Sequence, residues 1–212
     1  MMQGVWFDNL HSYADLNLVL SKVEFPPATP KTNFVEVPGA DGSVDQTEAL
    51  GEVRYKDRKP VFTFTVFPYD DFEEKKRQVS NLLNGQRKTI ALDKDPGYYW
   101  TGRCEVDKYA TNKKIRQIVI SATVAPYKLK DTVTKVTVPA GDAVVKTLRN
   151  SRKSVVPTIV CTADTTIIFK GNTFQFGAGT HKNLSIKLVE GDNPVTVTST
   201  GSVEFIYQEG DL

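Results

Sequence analysis

One stretch of the sequence is the most informative about the fold: Phe34-Val35-Glu36-Val37-Pro38-Gly39-Ala40-Asp41-Gly42-Ser43-Val44-Asp45. Apolar and polar residues alternate over its first four positions, which predicts a half-buried strand. The Pro-Gly and Asp-Gly pairs that follow predict a tight reversal of the chain. We therefore expect a β element that runs into a glycine turn.

The glycine turn carries oxygen-bearing side chains at alternating positions, a pattern that calcium loops share. A calcium loop of the EF-hand type needs further ligands, a bidentate Glu at its end and a helix on each side. Glu48 and Glu52 follow the turn, but no helix is predicted before it. A phosphate loop needs Gly-Lys-Ser/Thr at the start of a helix, and that pattern is missing. A turn whose glycines adopt positive φ is the favoured interpretation, and calcium binding is the weaker alternative.

The composition argues against two classes of protein, those that bind nucleic acid through a high positive charge and those that insert into a membrane. The 212 residues carry a net charge of +2 from 27 basic and 25 acidic residues. When the chain is divided after Lys128, each half has a net charge of +1. The first half has 18 basic and 17 acidic residues, and the second half has 9 basic and 8 acidic residues. Neither half is basic enough for nucleic-acid binding driven by counterion release. No apolar run approaches the about 20 residues that span a bilayer, so we expect no membrane insertion, and we expect no export signal.

The first half predicts strands and a single helix. Residues 61–67 alternate so that Phe62, Phe64 and Val66 share one face of a strand. A helix from Asp71 to Asn84 follows, because Phe72 and three further apolar residues recur at helical spacing. Asp71 is the predicted N-cap, with Glu74 completing a capping box. The basic run between Arg54 and Lys59 is interpreted as a solvated strand edge.

The second half predicts no helix. Short β segments recur with Gly and Asn turns between them, which is typical of an antiparallel sandwich. The segments are Lys135–Val138, Val144–Leu148, Pro157–Cys161, Thr166–Phe169, Thr173–Phe176, Leu184–Leu188, Pro194–Thr198 and Ser202–Tyr207. The predicted fold class is therefore mainly β: an α+β domain over residues 1–129, with one helix on an antiparallel sheet, and a β-sandwich over residues 130–212.

Residues that could carry chemistry are few. Cys104 and Cys161 are far apart without a Cys-x-x-Cys pattern, so a disulfide framework and a structural zinc site are excluded. Cys161 and His181 could form a nucleophile and base, but no activating context accompanies them. His11 and His181 are expected in loops at the surface.

Sugar chemistry is a further alternative. Asp93 and Asp95 precede Tyr98, Tyr99 and Trp100, and paired carboxylates beside aromatic rings are typical of glycosidases. The same residues equally predict a turn and a strand edge. Phe174 and Phe176 could form an exposed sugar-binding platform, but strand spacing favours a shared core face. We predict no catalytic residues, no cofactor and no metal.

The order of these elements resembles the distal tail protein (Dit) family of phages with long non-contractile tails and of related prophages. The residues that carry the resemblance, in chain order, are Gly4–Phe7, Val35–Asp45, Tyr55, Val61–Phe67, Leu82–Gly85, Leu92-Asp93, Ala125–Tyr127, Asn150, Pro157–Ile159, Gly191–Asn193 and Val203–Tyr207.

The resemblance implies a structural role. Family members form a hexameric ring at the far end of the tail, where the N-terminal domains surround a channel that passes DNA without specific binding. The C-terminal domain is similar to galectin-like sandwiches. The ring joins the tail tube protein to the tail-tip or tail-fibre protein and often holds receptor-binding proteins.

Further expectations follow from the resemblance. The protein would lie at the distal end of the tail in the virion, and in the host cytoplasm during assembly. By analogy, Pro38, Gly39, Asp41 and Gly42 would lie at the ring interface. The alternative function is a carbohydrate-binding β-sandwich module in host adsorption.

Overall fold

The chain is described by a computed structural model, and the structure describes residues 3–49, 51–66, 72–111 and 115–212. These residues form one helix and 19 strands. The chain divides into two compact units, Met1–Lys128 and Leu129–Leu212. The sequence predicts the same kind of division one residue later, at 129/130. The helix that is described is too short to cross a membrane.

The first unit contains the helix and the first nine strands. They are β1 (Val5–Phe7), β2 (Leu10–His11), β3 (Leu18–Glu24), β4 (Phe34–Glu36), β5 (Ser43–Asp45), β6 (Val61–Val66), α1 (Phe72–Leu83), β7 (Arg87–Leu92), β8 (Tyr98–Thr111) and β9 (Arg116–Val124). Seven of these strands form an antiparallel sheet in the order β2-β1-β7-β8-β9-β6-β3, and β4 and β5 form a separate two-stranded sheet. The pairs β1–β7, β9–β6 and β6–β3 therefore bring together strands from separate parts of the chain.

Strand alternation builds the core of the first unit. Phe62, Phe64 and Val66 are buried on one face of β6, as the sequence predicts, and Ile118 and Ile120 of β9 are buried beside them. Burying such side chains contributes roughly 1.5–3 kcal/mol each relative to exposure. The alternation over Val61–Val66 therefore places one face of this strand in the core.

The helix covers part of this core. It buries Phe72, Val79 and Leu83, which lie on the apolar face that the sequence predicts. Gly85 has φ +72° just after the helix ends, as is common at helix C-termini. The helical spacing thus predicts the buried face correctly, and the Asn84-Gly85 pair predicts where the helix ends. The predicted cap, Asp71, lies outside the described residues.

The second unit is a β-sandwich. The strands from residue 128 onward are β10 (Lys128–Lys130), β11 (Thr134–Val138), β12 (Gly141–Asn150), β13 (Thr158–Cys161), β14 (Thr165–Phe169), β15 (Asn172–Phe176), β16 (Gly179–His181), β17 (Gly191–Ser199), β18 (Val203–Tyr207) and β19 (Gly210–Asp211), of which β11 to β18 form the sandwich. Two four-stranded antiparallel sheets, β11-β18-β13-β16 and β12-β17-β14-β15, contribute to one hydrophobic core. The predicted antiparallel sandwich is confirmed.

One predicted strand is wrong. Leu184–Leu188 is a loop in which Ile186 and Leu188 are buried and Leu184 is exposed. Leu188 makes only an isolated bridge to Val155. The spacing of these apolar residues is like that of a strand because Ile186 and Leu188, two positions apart, both pack into the core. The strand in this region is instead β16, which pairs with β13 at a place where the sequence predicts a glycine turn.

Candidate functional site: an exposed two-stranded ribbon

Residues 33–49, called the ribbon below, contain a two-stranded sheet that is separate from the larger sheets. Strands β4 and β5 pair antiparallel, with Phe34 opposite Asp45, Val35 opposite Val44, and Glu36 opposite Ser43. Every residue of both strands is exposed. The half-buried strand predicted from the alternation is therefore wrong for this chain alone, because every residue of both strands is exposed among the residues that the structure describes.

The two faces of the ribbon differ. Residues directly opposite each other in an antiparallel pair project to the same side. Val35 and Val44 therefore share one face, while Phe34 and Glu36 lie on the other face with their partners. Phe34 is 56% exposed and Val44 is 51% exposed. A two-stranded hairpin is marginally stable in water on its own, so the exposed apolar side chains of this ribbon favour an interaction site.

The tip of the ribbon contains the predicted interface residues Pro38, Gly39, Asp41 and Gly42. Gly39 has φ +83° and Gly42 has φ +75°, in agreement with the predicted positive-φ turn. A Cβ atom at either glycine would meet nothing within 4 Å. The tip is thus a turn that faces open space, and its glycines are required by the backbone conformation.

The carboxylate of Asp45 has a structural role at the end of the ribbon. Its Oδ1 accepts a hydrogen bond from the backbone N–H of Thr47 at 2.9 Å. Hydrogen bonds from the Thr47 side chain and backbone lower the pKa of Asp45. In the described part of the chain, no group of three or more His, Cys, Asp and Glu side chains is placed to hold a metal ion.

The base of the ribbon is held by backbone hydrogen bonds. Lys31 N–H donates to the Arg54 carbonyl at 2.7 Å, and Lys56 N–H donates to the Thr29 carbonyl at 2.8 Å. Farther out, Gln46 N–H donates to the Asn33 carbonyl at 2.7 Å. Backbone hydrogen bonds, called the backbone ladder below, therefore tie together the segments that lead to the ribbon, and residues 47–49 form a turn between the bonded positions.

Arg58 fixes the chain where the ladder joins the sheet. Its Nε–H donates to the Pro26 carbonyl at 2.7 Å. Its guanidinium carbon lies 4.4 Å from the centre of the Phe25 ring and 5.9 Å from that of Trp100. Arg58 is half-buried, so the interpretation of the basic run as a solvated edge is wrong for this residue. Its stacking partners are distant in sequence, and no local signal predicts them.

Asp93 is engaged with the N-terminal strands. It accepts hydrogen bonds from Gly4 N–H at 2.8 Å, from Trp6 Nε1 at 2.8 Å and from His11 Nε2 at 3.0 Å. Ala14 N–H donates to His11 Nδ1 at 3.1 Å, so the proton of the neutral imidazole lies on Nε2. Partial burial raises the pKa of Asp93, but the three hydrogen bonds outweigh that effect and lower it.

His11 is therefore not at the surface. It is 7% exposed and lies in β2, where the sequence predicts an exposed loop. Its hydrogen-bond partner Asp93 is 82 positions away in the sequence. No pattern in the residues near His11 could therefore predict its burial.

The paired-carboxylate hypothesis finds no geometry to support it. Asp93 accepts hydrogen bonds from Gly4, Trp6 and His11. Asp95 forms an ion pair with Lys128 at 2.9 Å. Trp100 is only 4% exposed. Phe174 and Phe176 are partly buried against the sandwich core, which is the alternative that strand spacing favours. These aromatic residues stabilise the two cores.

The cysteine and histidine hypothesis fails on register. His181 lies opposite Ile159 in the β13–β16 pair, whereas Cys161 lies opposite Gly179. Cys161 is buried, and Nε2 of His181 hydrogen-bonds to the Gly177 carbonyl at 2.8 Å. His181 is in strand β16 and half-buried, so its predicted loop position is also wrong. Burial raises the pKa of the Cys104 thiol to about 11, which disfavours the reactive thiolate.

Comparison with known proteins is informative about the fold. No protein-family model and no curated protein sequence matches the chain. The crystal structure of the SPP1 Dit protein, described as a paradigm of the hub adsorption apparatus in phages that infect Gram-positive bacteria, matches with a TM-score of 0.71 at 12% sequence identity. The match covers 100% of both chains, so the chain has the fold of the SPP1 Dit protein over its whole length.

Proposed function

We propose that this chain is a structural subunit of the hub at the distal end of a phage tail. The observation that carries the proposal is the match of fold over the full length of the SPP1 Dit protein, for which the hub adsorption role is described. Both units take part in the match, so the proposal does not rest on a single common β-sandwich.

The subunit would assemble as a homo-hexameric ring. The exposed ribbon supports an assembly contact, because its apolar side chains have no cover within the described chain. Pro38, Gly39, Asp41 and Gly42 at its tip are the proposed ring-interface residues. In a closed ring each subunit presents one surface to the next and receives that subunit's other surface.

The ring would join the tail tube protein on one side to the tail-tip or tail-fibre protein on the other, and would offer sites to receptor-binding proteins. DNA would pass through its channel without specific binding, which the net charge of only +2 supports. The protein would be part of the virion tail and would be found in the host cytoplasm during assembly.

The proposed role is not catalytic. The residues that the sequence offers for catalysis are engaged elsewhere: Asp93 with β1 and β2, Asp95 with Lys128, and Cys161 in the sandwich core. The burial of Trp100 and the partial burial of Phe174 and Phe176 also remove the support for a sugar-binding platform.

Sedimentation velocity and negative-stain imaging of the purified protein test the proposal, alone and with the tail tube and tail-tip proteins. We expect a closed ring with six-fold symmetry. Asp41→Lys should weaken ring formation, whereas Asp131→Lys, at an exposed loop of the second unit, should leave it unchanged. A particle that stays monomeric at all concentrations and with all partners would contradict the proposal.

A further inference from the structure

The sandwich of the second unit has four edge strands, and three of them carry features that block pairing with a further strand. β12 has a register shift between Gly141 and Val144 and an exposed Lys146. β11 has an exposed Lys135, and β16 is only three residues long. Bulges, charged side chains and short length are common means by which edge strands are protected from pairing with other chains.

The fourth edge strand, β15, has none of these protective features. It runs from Asn172 to Phe176, contains no charged residue and no proline, and pairs with β14 over five consecutive positions without a register shift. In the part of the chain that the structure describes, no strand pairs with its other side. The sandwich therefore has one regular, uncharged edge that is open to another strand.

The hairpin turn before β15 decides which main-chain groups point toward this open edge. Lys170 and Gly171 have φ +50° and +78°, as in a two-residue type I′ turn, whose closing hydrogen bond joins Asn172 to β14. Hydrogen-bonded and non-hydrogen-bonded pairs alternate along an antiparallel ladder. The N–H and C=O groups of Thr173 and Gln175 therefore point away from β14, toward the open edge.

The side chains at this edge are also available for contact. Thr173 and Gln175 are exposed, and neither side chain forms a hydrogen bond within the described residues. Phe174 lies between them on the opposite face of the strand and is only partly buried against the sandwich core. The edge thus offers main-chain groups, two polar side chains and part of an aromatic ring to an added strand.

A second copy of β15 is complementary to this edge. When two such strands run antiparallel about a two-fold axis at Phe174, Thr173 of each copy lies opposite Gln175 of the other, and both pairs are hydrogen-bonded pairs. The two Phe174 rings lie opposite each other between them, where cross-strand aromatic contacts are favourable. Neither strand carries a charge, so no like charges meet at the axis.

We propose that β15 pairs antiparallel with β15 of a second copy of this chain, with the two-fold axis at Phe174. The pairing joins the β12-β17-β14-β15 sheets of the two copies into one continuous sheet. A two-fold contact uses the same patch on both subunits, whereas a ring repeats a contact between two different patches. The pairing is therefore separate from the ring contact, and it is weak for a single pair because the strand is short.

Cysteines introduced at this edge test the register of the pairing. In the proposed pairing, residue 173 of one copy and residue 175 of the other have Cα atoms about 5.5 Å apart, within the range that a disulfide spans. We expect a disulfide between copies in a mixture of Thr173→Cys and Gln175→Cys, and about tenfold slower formation in either variant alone. The native cysteines are buried and do not interfere. Equal rates in the mixture and in the single variants would overturn the inference.

Charged variants test whether this edge makes the contact. In Thr173→Lys, Gln175→Lys the introduced ammonium groups lie opposite each other across the axis, and in Thr173→Glu, Gln175→Glu the carboxylates do. We expect each variant alone to associate about tenfold more weakly than the wild type in sedimentation equilibrium, because like charges directly opposite are destabilising. An equimolar mixture of the two should recover the association. A mixture that associates no better than its components would count against the pairing.

The matched control adds the same charge to the far edge of the same sheet. Val145→Lys, Thr147→Lys changes two exposed positions of β12 and should associate as the wild type does. Loss of association in this control, with association retained in Thr173→Lys, Gln175→Lys, would place the contact at β12 and overturn the inference.

Negative-stain imaging of the same samples separates this inference from the hub proposal. If rings form in the wild type and the mixed cysteine variants give no disulfide between copies, the inference fails while the hub function stands. If the mixed variants form the disulfide and no ring appears with or without the tail proteins, the inference stands while the hub proposal fails.

Discussion

Oδ2 of Asp93 lies 3.0 Å from Nε2 of His11, and this contact joins two residues that are 82 positions apart. The same carboxylate holds Gly4 N–H and the Trp6 indole N–H. The N-terminal strands are thereby attached to the turn after β7 through one acidic side chain. A carboxylate that accepts three hydrogen bonds in this way is a structural anchor for the edge of the sheet.

Replacing Asp93 with Ala should destabilise the first unit. The change leaves the indole and backbone N–H groups without their acceptor, and hydrogen bonds to a charged group contribute about 1.5–3 kcal/mol each when other losses are small. We expect the free energy of unfolding to fall by about 3 kcal/mol. Urea unfolding followed by tryptophan fluorescence measures this directly, because both tryptophans, Trp6 and Trp100, are in the first unit.

The stabilisation by Asp93 should depend on pH with a definite sign. The hydrogen bonds lower the pKa of Asp93 below its ordinary value of 3.8. Its contribution is therefore complete above pH 3.8 and is lost as pH falls through the lowered pKa. The difference in unfolding free energy between the wild type and Asp93→Asn should be constant above that range and should shrink below it. A difference that grows on acidification would contradict this assignment.

Local sequence patterns predict two kinds of element in this fold. One kind has packing partners that are near in sequence, and the other packs in the same way against any antiparallel partner. The helix is an example, since the spacing of Phe72, Val79 and Leu83 gives its buried face without knowledge of the sheet. The sandwich follows from short alternating runs, because any antiparallel partner buries the same alternate residues.

The features that the sequence does not predict depend on distant or external partners. His11 is buried because Asp93 reaches it across the sheet. Apolar and polar residues alternate from Phe34 onward as in a half-buried strand, yet Phe34 and Val35 are exposed. The pattern does not indicate whether the surface that would bury them belongs to the same chain. The Arg58 site combines two rings, those of Phe25 and Trp100, with the Pro26 carbonyl from separate segments, so the basic run appears as an ordinary solvated edge in the sequence.

The two cysteine thiols should be unreactive in the folded protein. Cys104 is fully buried and its pKa is raised to about 11, so little thiolate exists near pH 8. Cys161 is 3% exposed in the sandwich core. A chromogenic disulfide reagent should detect no rapidly reacting thiol in native protein and two after unfolding. A fast thiol in the native state would reopen the question of a cysteine nucleophile.

Gly102 should tolerate no side chain. A Cβ atom at this position would lie 2.3 Å from the Thr123 carbonyl oxygen and 2.6 Å from a methyl carbon of Val124. Gly102→Ala should therefore separate β8 from β9 locally and destabilise the first unit by about 2 kcal/mol. The matched control is Gly177→Ala, where the nearest atom is 3.8 Å away. Thermal unfolding followed by circular dichroism should show a lower midpoint only for Gly102→Ala.

Arg58 should control the rigidity of the ribbon base. Arg58→Lys keeps the positive charge but loses the planar group that stacks on Phe25 and the Nε–H that reaches the Pro26 carbonyl. We expect limited proteolysis within residues 26–57 to accelerate severalfold, while the stability of the sheet falls by only about 1 kcal/mol. Lys59→Arg, at the exposed neighbouring position, serves as the control and should leave the cleavage rate unchanged. Equal cleavage rates in Arg58→Lys and the wild type would mean that the backbone ladder alone holds the ribbon, since those hydrogen bonds remain in the variant.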